Sequence, residues 1–231
     1  MPVYNEVEAV EGVVASWTGV LEPLGVDYEL LVYDDGSTDG TGAVLDALGA
    51  ADARLRVTHH TNRGHGPSIM RGYAEAAGRW IFQTDSDDEI PARAFDDLWA
   101  RRHDADVVIG VRTGRRSDGA RRLMTMGAAA VVRGLFGRGV TDVNAPFRLM
   151  RADALARLLP RVPPMAFAPN VILSGLFARD RLRCVEVPVP ATPRRTGRTS
   201  LFGWKVWKAA ARAARETFGV AVRERVKGPR A

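Results

Sequence analysis

The 231 residues of the chain are 46% hydrophobic and 26% charged, which is ordinary globular usage and excludes a chain disordered throughout. This length suits one large domain. The single cysteine, Cys184, excludes a disulfide framework and a cysteine-based zinc site. No apolar run approaches the ~18 residues of a membrane span and no signal peptide opens the sequence, so we expect a cytoplasmic protein.

The net charge of +6 conceals a strong asymmetry along the chain. Residues 1–100 include 6 basic and 18 acidic side chains. Residues 101–190 include 16 basic and 7 acidic ones, and residues 191–231 include 11 basic and 2 acidic ones. The segregation predicts a bound cation in the acidic part and an anionic ligand in the basic part. An arginine-rich composition could supply part of the excess, but it would not segregate it.

Strands and helices alternate in the first half of the sequence. Strands are predicted at residues 28–33, 55–59, 79–84 and 106–110. Helices are predicted at residues 8–21, 41–48, 66–77 and 91–102. This alternation predicts an α/β fold with a mostly parallel sheet flanked by helices, in which ligands lie beyond the carboxyl ends of strands. Residues 1–6 have the pattern of a loop leaving a strand, so we expect the N-terminal strand to be missing.

The second half is less regular and ends in one long helix. Helices are predicted at residues 121–136, 153–159, 171–178 and 201–226. Extended segments are predicted at residues 144–150 and 182–187. We therefore expect one α/β domain over residues 1–200, followed by a basic amphipathic helix and tail over residues 201–231.

A cluster of carboxylates follows the third predicted strand. Asp85, Ser86 and Asp87 form a D-x-D triplet, and Asp88 and Glu89 extend it. Hard cations such as Mg²⁺ and Mn²⁺ take carboxylate oxygens and leave positions open for phosphate oxygens. So much like charge destabilises the fold without a cation, although a solvated turn is the alternative interpretation.

A second acidic pair, Asp34 and Asp35, follows the first predicted strand. One of these carboxylates could accept hydrogen bonds from a base or ribose, while Ser37 to Asp39 read as a turn. The histidines show no metal-ligand spacing and are predicted to be surface or loop residues; they are His59, His60, His65 and His103.

Four motifs together resemble family 2 glycosyltransferases with the GT-A fold, in order and in spacing. They are Pro2-Val-Tyr-Asn-Glu6, Asp34-Asp-Gly-Ser-Thr-Asp39, Asn62-Arg-Gly64 and Asp85-Ser-Asp87. Three later motifs look like those of polyprenyl-phosphate glycosyltransferases of the dolichyl-phosphate mannose synthase type. They are Gly110-Val-Arg112, Asp142-Val-Asn-Ala-Pro-Phe-Arg148 and Pro193-Arg-Arg-Thr-Gly-Arg-Thr-Ser200.

The resemblance implies roles for individual residues. Those expected beside the nucleotide sugar are Pro2, Tyr4, Asn5, Glu6, Asp35, Asp85 and Ser86. Those expected to ligate Mg²⁺ or Mn²⁺ are Asp85, Asp87 and Glu89, where the family usually has Gln in place of Glu89. Arginines expected around the acceptor phosphate and donor diphosphate are Arg112, Arg122, Arg148, Arg195 and Arg198. Of these, Arg112, Arg148 and Arg195 are assigned to catalysis together with Asp87. Asn170 stands where the family suggests an acidic residue.

The resemblance implies a metal-dependent, inverting transfer from a nucleoside-diphosphate sugar to a polyprenyl phosphate. A family 2 enzyme acting on a sugar or natural-product hydroxyl is the first alternative; it would need a base, for which Asp88, Glu89 and Asp142 are candidates. A phosphotransferase of the haloacid-dehalogenase type is disfavoured by Glu89. A non-enzymatic nucleic-acid or anionic-surface binder leaves the acidic strand ends unexplained, and we predict no nucleic-acid partner.

The predicted C-terminal helix has an apolar stripe beside a basic one. Apolar residues recur every three or four positions, at Trp204, Trp207, Ala211, Ala214, Phe218 and Val222. Cations follow one position later, at Lys205, Lys208, Arg212 and Arg215. Such a helix is suited to lie in a membrane interface, which would place the protein peripherally on the inner face of the membrane. The alternative is that the apolar stripe packs against the domain.

Overall fold

The structure is a computed structural model that describes residues 1–113, 119–191 and 204–226. Within these ranges, seven strands form two sheets. The strands are β1 (Pro2–Val3), β2 (Leu30–Asp34), β3 (Leu55–His59), β4 (Trp80–Gln83), β5 (Val107–Thr113), β6 (Arg148–Arg151) and β7 (Cys184–Pro190). The first sheet has the order β1-β2-β3, and the second has the order β4-β6-β5-β7.

The predicted mostly parallel sheet is confirmed, with one strand reversed. Pairings β1–β2, β2–β3 and β5–β7 are parallel, whereas β6 runs antiparallel to both β4 and β5. The reversal means that the chain, after a long helix and a loop, re-enters the sheet at the end where β5 leaves it, so that Arg148 at the start of β6 pairs with Ile109. Pro2 and Val3 lie in a segment expected to be loop, yet they pair with Tyr33 and Asp34 as a short strand.

The predicted helices are present, with ends that differ by a few residues. They are α1 (Val10–Leu21), α2 (Thr41–Ala51), α3 (His65–Glu75), α4 (Phe95–Ala100), α5 (Gly119–Phe136), α6 (Ala152–Leu158), α7 (Pro169–Arg179) and α8 (Trp204–Val226). The helix predicted at residues 91–102 is shorter, because a 3-10 turn at Ala92–Ala94 precedes α4. No helix within the described ranges has the length and apolar character to cross a bilayer.

Helices cover both faces of the larger sheet, and the alternation of side chains along each strand divides the core accordingly. In β5, Val107 and Ile109 join a cluster built with α3, α5 and α7. Between them, Val108 points to the other face, where the cluster includes α1 and α4. An aromatic group fills that second face, with the rings of Phe82 and Phe147 centred 4.8 Å apart.

The C-terminal helix α8 packs on the domain through a face other than its predicted apolar stripe. Among residues 207–226, whose side chains the structure describes, the buried ones are Thr217, Val220, Ala221 and Glu224. The Glu224 carboxylate lies 2.5 Å from the guanidinium of Arg161, which also pairs with Asp180 at the end of α7. Helix α8 therefore belongs to the core, while Trp207, Phe218 and Val222 of the apolar stripe are exposed.

Candidate active site

The two acidic motifs lie at strand ends, as predicted, and one short loop links them. The Asp35 carboxylate follows β2 and accepts the backbone N–H groups of Arg63 and Gly64, at 2.7 and 2.9 Å. The next residue, His65, begins α3, and its Nε2 lies 2.8 Å from Oδ1 of Asp85. The loop between β3 and α3 therefore joins the candidate nucleotide end to the candidate metal end.

The loops that follow β1 and β2 hold each other through Asn5. Its backbone N–H donates to Oγ of Ser37, and its side-chain oxygen accepts the N–H of Thr38, both at 2.9 Å. Asn5 has a left-handed backbone with φ of 53°, which asparagine tolerates better than most residues. Beside it, Tyr4 is exposed and Pro2 is buried in β1. The fold thus presents the Tyr4 ring on a fixed loop.

The first acidic residue of the pair, Asp34, is held by its own neighbours. It accepts the Ser37 N–H at 2.9 Å and lies 2.8 Å from Nδ1 of His59, whose other ring nitrogen contacts Asp46. Burial disfavours its charge, but the hydrogen bonds from Ser37 and His59 prevail and hold the pKa of Asp34 below its ordinary value. The hydrogen bonds to Asp34 and Asp46 raise the pKa of His59. These contacts give Asp34 a structural role.

The carboxylates after β4 are mostly buried. Asp87 accepts the backbone N–H of Glu89 at 3.1 Å, which shapes the turn. Ser86, which stands between Asp85 and Asp87 in the sequence, is also buried. The small cavity that Asp85, Asp87 and Glu89 border has a volume of about 10 Å³. That is about the space for one water-sized sphere, so the cavity suits a single ion or water rather than a sugar.

Arg112 lies at the end of β5, between two of the acidic residues. Its guanidinium is 3.2 Å from Oδ2 of Asp142 and 3.5 Å from Oε2 of Glu89. All three side chains are largely buried, so the charges interact with little screening by solvent. The prediction that Arg112 belongs to the site is consistent with this placement, and Asp142 comes with it.

A buried polar network supports Asp85 from beneath. The Gln83 amide donates to Oδ1 of Asp85 at 3.4 Å and accepts from the Asn170 amide at 3.0 Å. The Tyr73 hydroxyl lies within 3.3 Å of both the Gln83 and the Asn170 oxygens. Asn170, which stands where the family suggests an acidic residue, thus acts here as a neutral donor and acceptor.

Arg148 is not placed to meet a substrate. Its side chain is fully buried in β6, and its guanidinium donates to the backbone oxygens of Ala145 at 2.6 and 2.9 Å and of Asn170 at 3.4 Å. Burial lowers the pKa of Arg148. The expected contact with the acceptor phosphate gains no support from this geometry, because the donors already serve backbone carbonyls.

Three other predicted arginines cannot be placed against the site. Arg195 and Arg198 lie outside the described residues, and Arg122 lies in α5 at a position where only the helix is described.

The residues present suit a divalent cation that shares its ligands with a nucleotide. Asp85 and Asp87 supply hard oxygen donors at a cavity of ion size. Within the described ranges, no three His, Cys, Asp or Glu side chains converge as a complete metal site. Phosphate oxygens of a bound diphosphate would therefore have to complete the coordination shell.

Sequence reasoning missed the histidine contacts. His59 contacts Asp34, His60 lies 3.3 Å from Asp35, and His65 contacts Asp85. The available signal was position, since His59 ends β3 and His60 and His65 follow it, at the sheet edge where the acidic motifs also gather.

An open groove of about 520 Å³ runs along α3, beside the site. Apolar side chains form most of its lining, and cations border it. The residues that line the groove include Met70, Ala74, Leu159 and Val162, together with the cationic Arg63 and Arg71. The groove includes Arg63, whose backbone binds Asp35, and continues along α3 to Ala74.

The class of protein follows from the family comparison, with which the α/β fold and the strand-end carboxylates agree. Residues 1–159 match Glycosyl transferase family 2, and the chain belongs to that family. The family prediction is thereby confirmed, and with it glycosyltransferase activity.

Solved structures confirm the GT-A fold. Glucosyl-3-phosphoglycerate synthase from Mycobacterium tuberculosis in complex with phosphoglyceric acid superposes with a TM-score of 0.70 at 19% identity, over 96% of this chain and 78% of that one. The same enzyme with Mn²⁺, UDP-glucose and glycerol 3-phosphate gives 0.67 at 20% identity, with the same coverage. S. aureus TarS 1-349 gives 0.58 at 20% identity, over 83% of this chain and 58% of that one.

Proposed function

We propose that this family 2 enzyme transfers a sugar, with inversion, from a nucleoside diphosphate to the phosphate of a polyprenyl lipid, as enzymes of the dolichyl-phosphate mannose synthase type do. The observation that carries the proposal is the position of Arg112 between Glu89, in the acidic cluster after β4, and Asp142 in the loop before β6. A cation thus stands beside the acidic cluster, where two anionic substrates would have to meet.

The reaction forms one bond and breaks one. An acceptor phosphate oxygen attacks the anomeric carbon and forms the new bond. The bond from that carbon to the nucleoside diphosphate breaks, and the nucleoside diphosphate leaves with the electron pair. A phosphate monoester has a second pKa of about 6 and is largely ionised at neutral pH, so no strong general base is required. The protein instead has to orient the two anions and offset their repulsion.

The residues divide these tasks. Asp85 and Asp87, with Glu89 beside them as the predicted further ligand, would hold Mg²⁺ or Mn²⁺ together with phosphate oxygens, and the cation would neutralise charge on the leaving diphosphate. Arg112 offers a planar guanidinium that suits bidentate phosphate binding. Asp35, with the loop that carries Tyr4, Asn5 and Glu6, would receive the base and ribose. Ser86 lies between the two metal-binding aspartates, on the donor side.

The remaining predicted arginines stay part of the proposal. Arg122, Arg195 and Arg198 belong to motifs shared with polyprenyl-phosphate enzymes and would surround the acceptor phosphate. Arg148 is proposed in a positioning role, because its guanidinium holds the backbone around Ala145, close to Asp142.

The groove along α3 favours a lipid acceptor over a small one. A hydrocarbon chain gains about 25 cal/mol for each Å² of apolar surface that it buries, and the groove offers an apolar lining bordered by two arginines. An acceptor without a hydrocarbon chain would leave this lining unused.

A transfer assay with matched acceptors tests the proposal. The full chain is incubated with Mn²⁺, a panel of UDP- and GDP-sugars, and farnesyl phosphate, farnesol or 3-phosphoglycerate. We expect product with farnesyl phosphate and none with farnesol or 3-phosphoglycerate. Transfer to 3-phosphoglycerate would overturn the lipid assignment while leaving family membership intact.

Two exposed alanines provide a test of the groove. Ala74→Glu places a carboxylate among the apolar groove residues, and Ala100→Glu makes the same change on α4. We expect the first to raise KM for farnesyl phosphate about tenfold without affecting KM for the donor, and the second to change neither.

A second candidate is transfer to a sugar or natural-product hydroxyl, which Asp142 favours. Its buried carboxylate lies in the site and could act as the base that a hydroxyl requires, as could Asp88 or Glu89. Product with a hydroxyl acceptor, together with a pH limb lost in Asp142→Asn, would support this alternative.

A further inference from the structure

The outward face of α8 is an apolar surface exposed to solvent. Trp207 is 62% exposed, Phe218 56%, Val222 43% and Val226 84%. Each residue advances about 100° around a helix, so positions 207, 218 and 222 share one side, with 226 at its margin. Large apolar side chains gathered on one exposed side mark a surface that contacts something else.

The helix that carries this surface is firmly anchored. On its opposite side, Thr217, Val220 and Ala221 are buried, and Glu224 bonds to Arg161 at 2.5 Å. The Thr217 hydroxyl also donates within the helix to the Ala213 carbonyl, at 2.7 Å. The outward side chains therefore have no nearby core to enter by rotation of the helix.

The charges beside the apolar surface are positive. Cations one position after the apolar residues lie about 100° further around the helix, on the adjoining side. The exposed ones are Lys208, Arg212, Arg215 and Arg223. Of the two carboxylates of α8, Glu224 pairs with Arg161, while Glu216 accepts the N–H of Phe167 at 2.7 Å and also pairs with Arg212 at 2.9 Å, which leaves the adjoining side with a positive balance.

We infer that the outward face of α8 is a docking surface for an anionic lipid bilayer. The apolar side chains would enter the boundary between headgroups and acyl chains, and the adjoining cations would meet the phosphates. A second copy of the chain is the less favoured occupant, because it would bring two basic helices together. The surface would place the catalytic domain at a lipid-borne acceptor. Binding to a bilayer can nevertheless occur whether or not the enzyme transfers sugar to a lipid phosphate.

Vesicle binding tests the inference without any sugar substrate. The full chain is sedimented with vesicles of phosphatidylcholine alone or with phosphatidylglycerol added, at low and moderate salt. We expect binding to the anionic vesicles that weakens with salt. The double variant Phe218→Ser/Val222→Ser should bind at least tenfold more weakly, and Arg215→Glu about fivefold or more.

Matched controls separate the surface from general effects. Val26→Ser removes an exposed apolar side chain elsewhere, and Arg101→Glu reverses an exposed charge near the end of α4; both should bind as the wild type does. Thermal unfolding checks each variant, and Trp207→Ser replaces the double variant if that one unfolds.

Three results would overturn the inference. The first is that the wild-type chain does not bind anionic vesicles, and the second is that the double variant binds them as well as the wild type does. The third is that the wild type is a dimer in solution and the double variant is a monomer. The last would assign the surface to a second copy. Because no transfer is measured, these results are independent of whether the lipid-phosphate acceptor is correct.

Discussion

Arg112 and Asp142 form a largely buried ion pair of 3.2 Å that joins the end of β5 to the loop before β6. The pair aims a guanidinium at Glu89 in the acidic cluster, 3.5 Å away. Asp142 thus holds the arginine, and through it the charge balance of the site.

Asp142→Asn separates an orienting role from a base role. We expect kcat to fall roughly tenfold to a hundredfold, because a charge-assisted hydrogen bond of about 1.5–3 kcal/mol to Arg112 is weakened. The pH–rate profile should keep its shape, since the acceptor phosphate needs no base. Loss of a pH limb in the variant would instead identify Asp142 as a general base.

Asp87→Asn tests the metal site with almost no change in volume. We expect Mn²⁺-dependent binding of the nucleotide sugar, measured by calorimetry, to be lost, because the amide lacks the charge that a hard cation prefers. The side-chain oxygen can still accept the Glu89 N–H, so the fold should persist. Asp88→Asn is the matched control, because it removes the same charge from a left-handed residue, where asparagine is tolerated. If both variants lost Mn²⁺-dependent binding of the nucleotide sugar equally, the loss would come from the change in net charge and not from a metal ligand.

Arg148→Met tests whether this arginine is structural. The change leaves the buried carbonyls of Ala145 and Asn170 without their donors, each at a cost of about 1–3 kcal/mol. We expect the free energy of unfolding in urea to fall by about 3 kcal/mol. An unchanged stability with a selective loss of transfer to farnesyl phosphate would restore the predicted role at the acceptor.

The contact between His59 and Asp34 predicts a window of pH-dependent stability. The pKa of His59 is raised above 6.5, so its contribution is complete below pH 6.5 and is lost as the pH rises through the folded value. The pKa of Asp34 is lowered below 3.8, so its contribution is complete above that pH and is lost in stronger acid.

His59→Gln should therefore lower the melting temperature most between about pH 4 and pH 6.5. The difference from the wild type should shrink above pH 7, which a series of thermal melts would show. A difference that grows with pH would contradict this assignment.

The sequence predicted the strands and the motif positions well, because buried strands are short apolar runs and the carboxylates directly follow them. Leu55–His59 matches its predicted strand residue for residue. Local pattern did not predict that β6 reverses, since that depends on the path taken by α5 and the loop after it. Neither did it predict which side of α8 is buried: the alternative to a membrane contact was that the apolar stripe packs against the domain, but Thr217, Val220 and Ala221 make the contact.

The site was predicted in its carboxylates and less well in its arginines. Arg112 and Arg148 are alike as residue types within motifs, yet one reaches the acidic cluster and the other is fully buried on backbone carbonyls. The difference lies in the alternation of side chains along paired strands, which requires the sheet register. The contact between His65 and Asp85 joins residues from different elements, 20 positions apart.

The linkage in the product is the most direct test of lipid-phosphate transfer. We expect nuclear magnetic resonance of the product from farnesyl phosphate to show the anomeric carbon coupled to phosphorus, with a configuration inverted relative to the donor. A product from farnesyl phosphate without coupling between the anomeric carbon and phosphorus, transfer to farnesol in its place, or a retained configuration would contradict it.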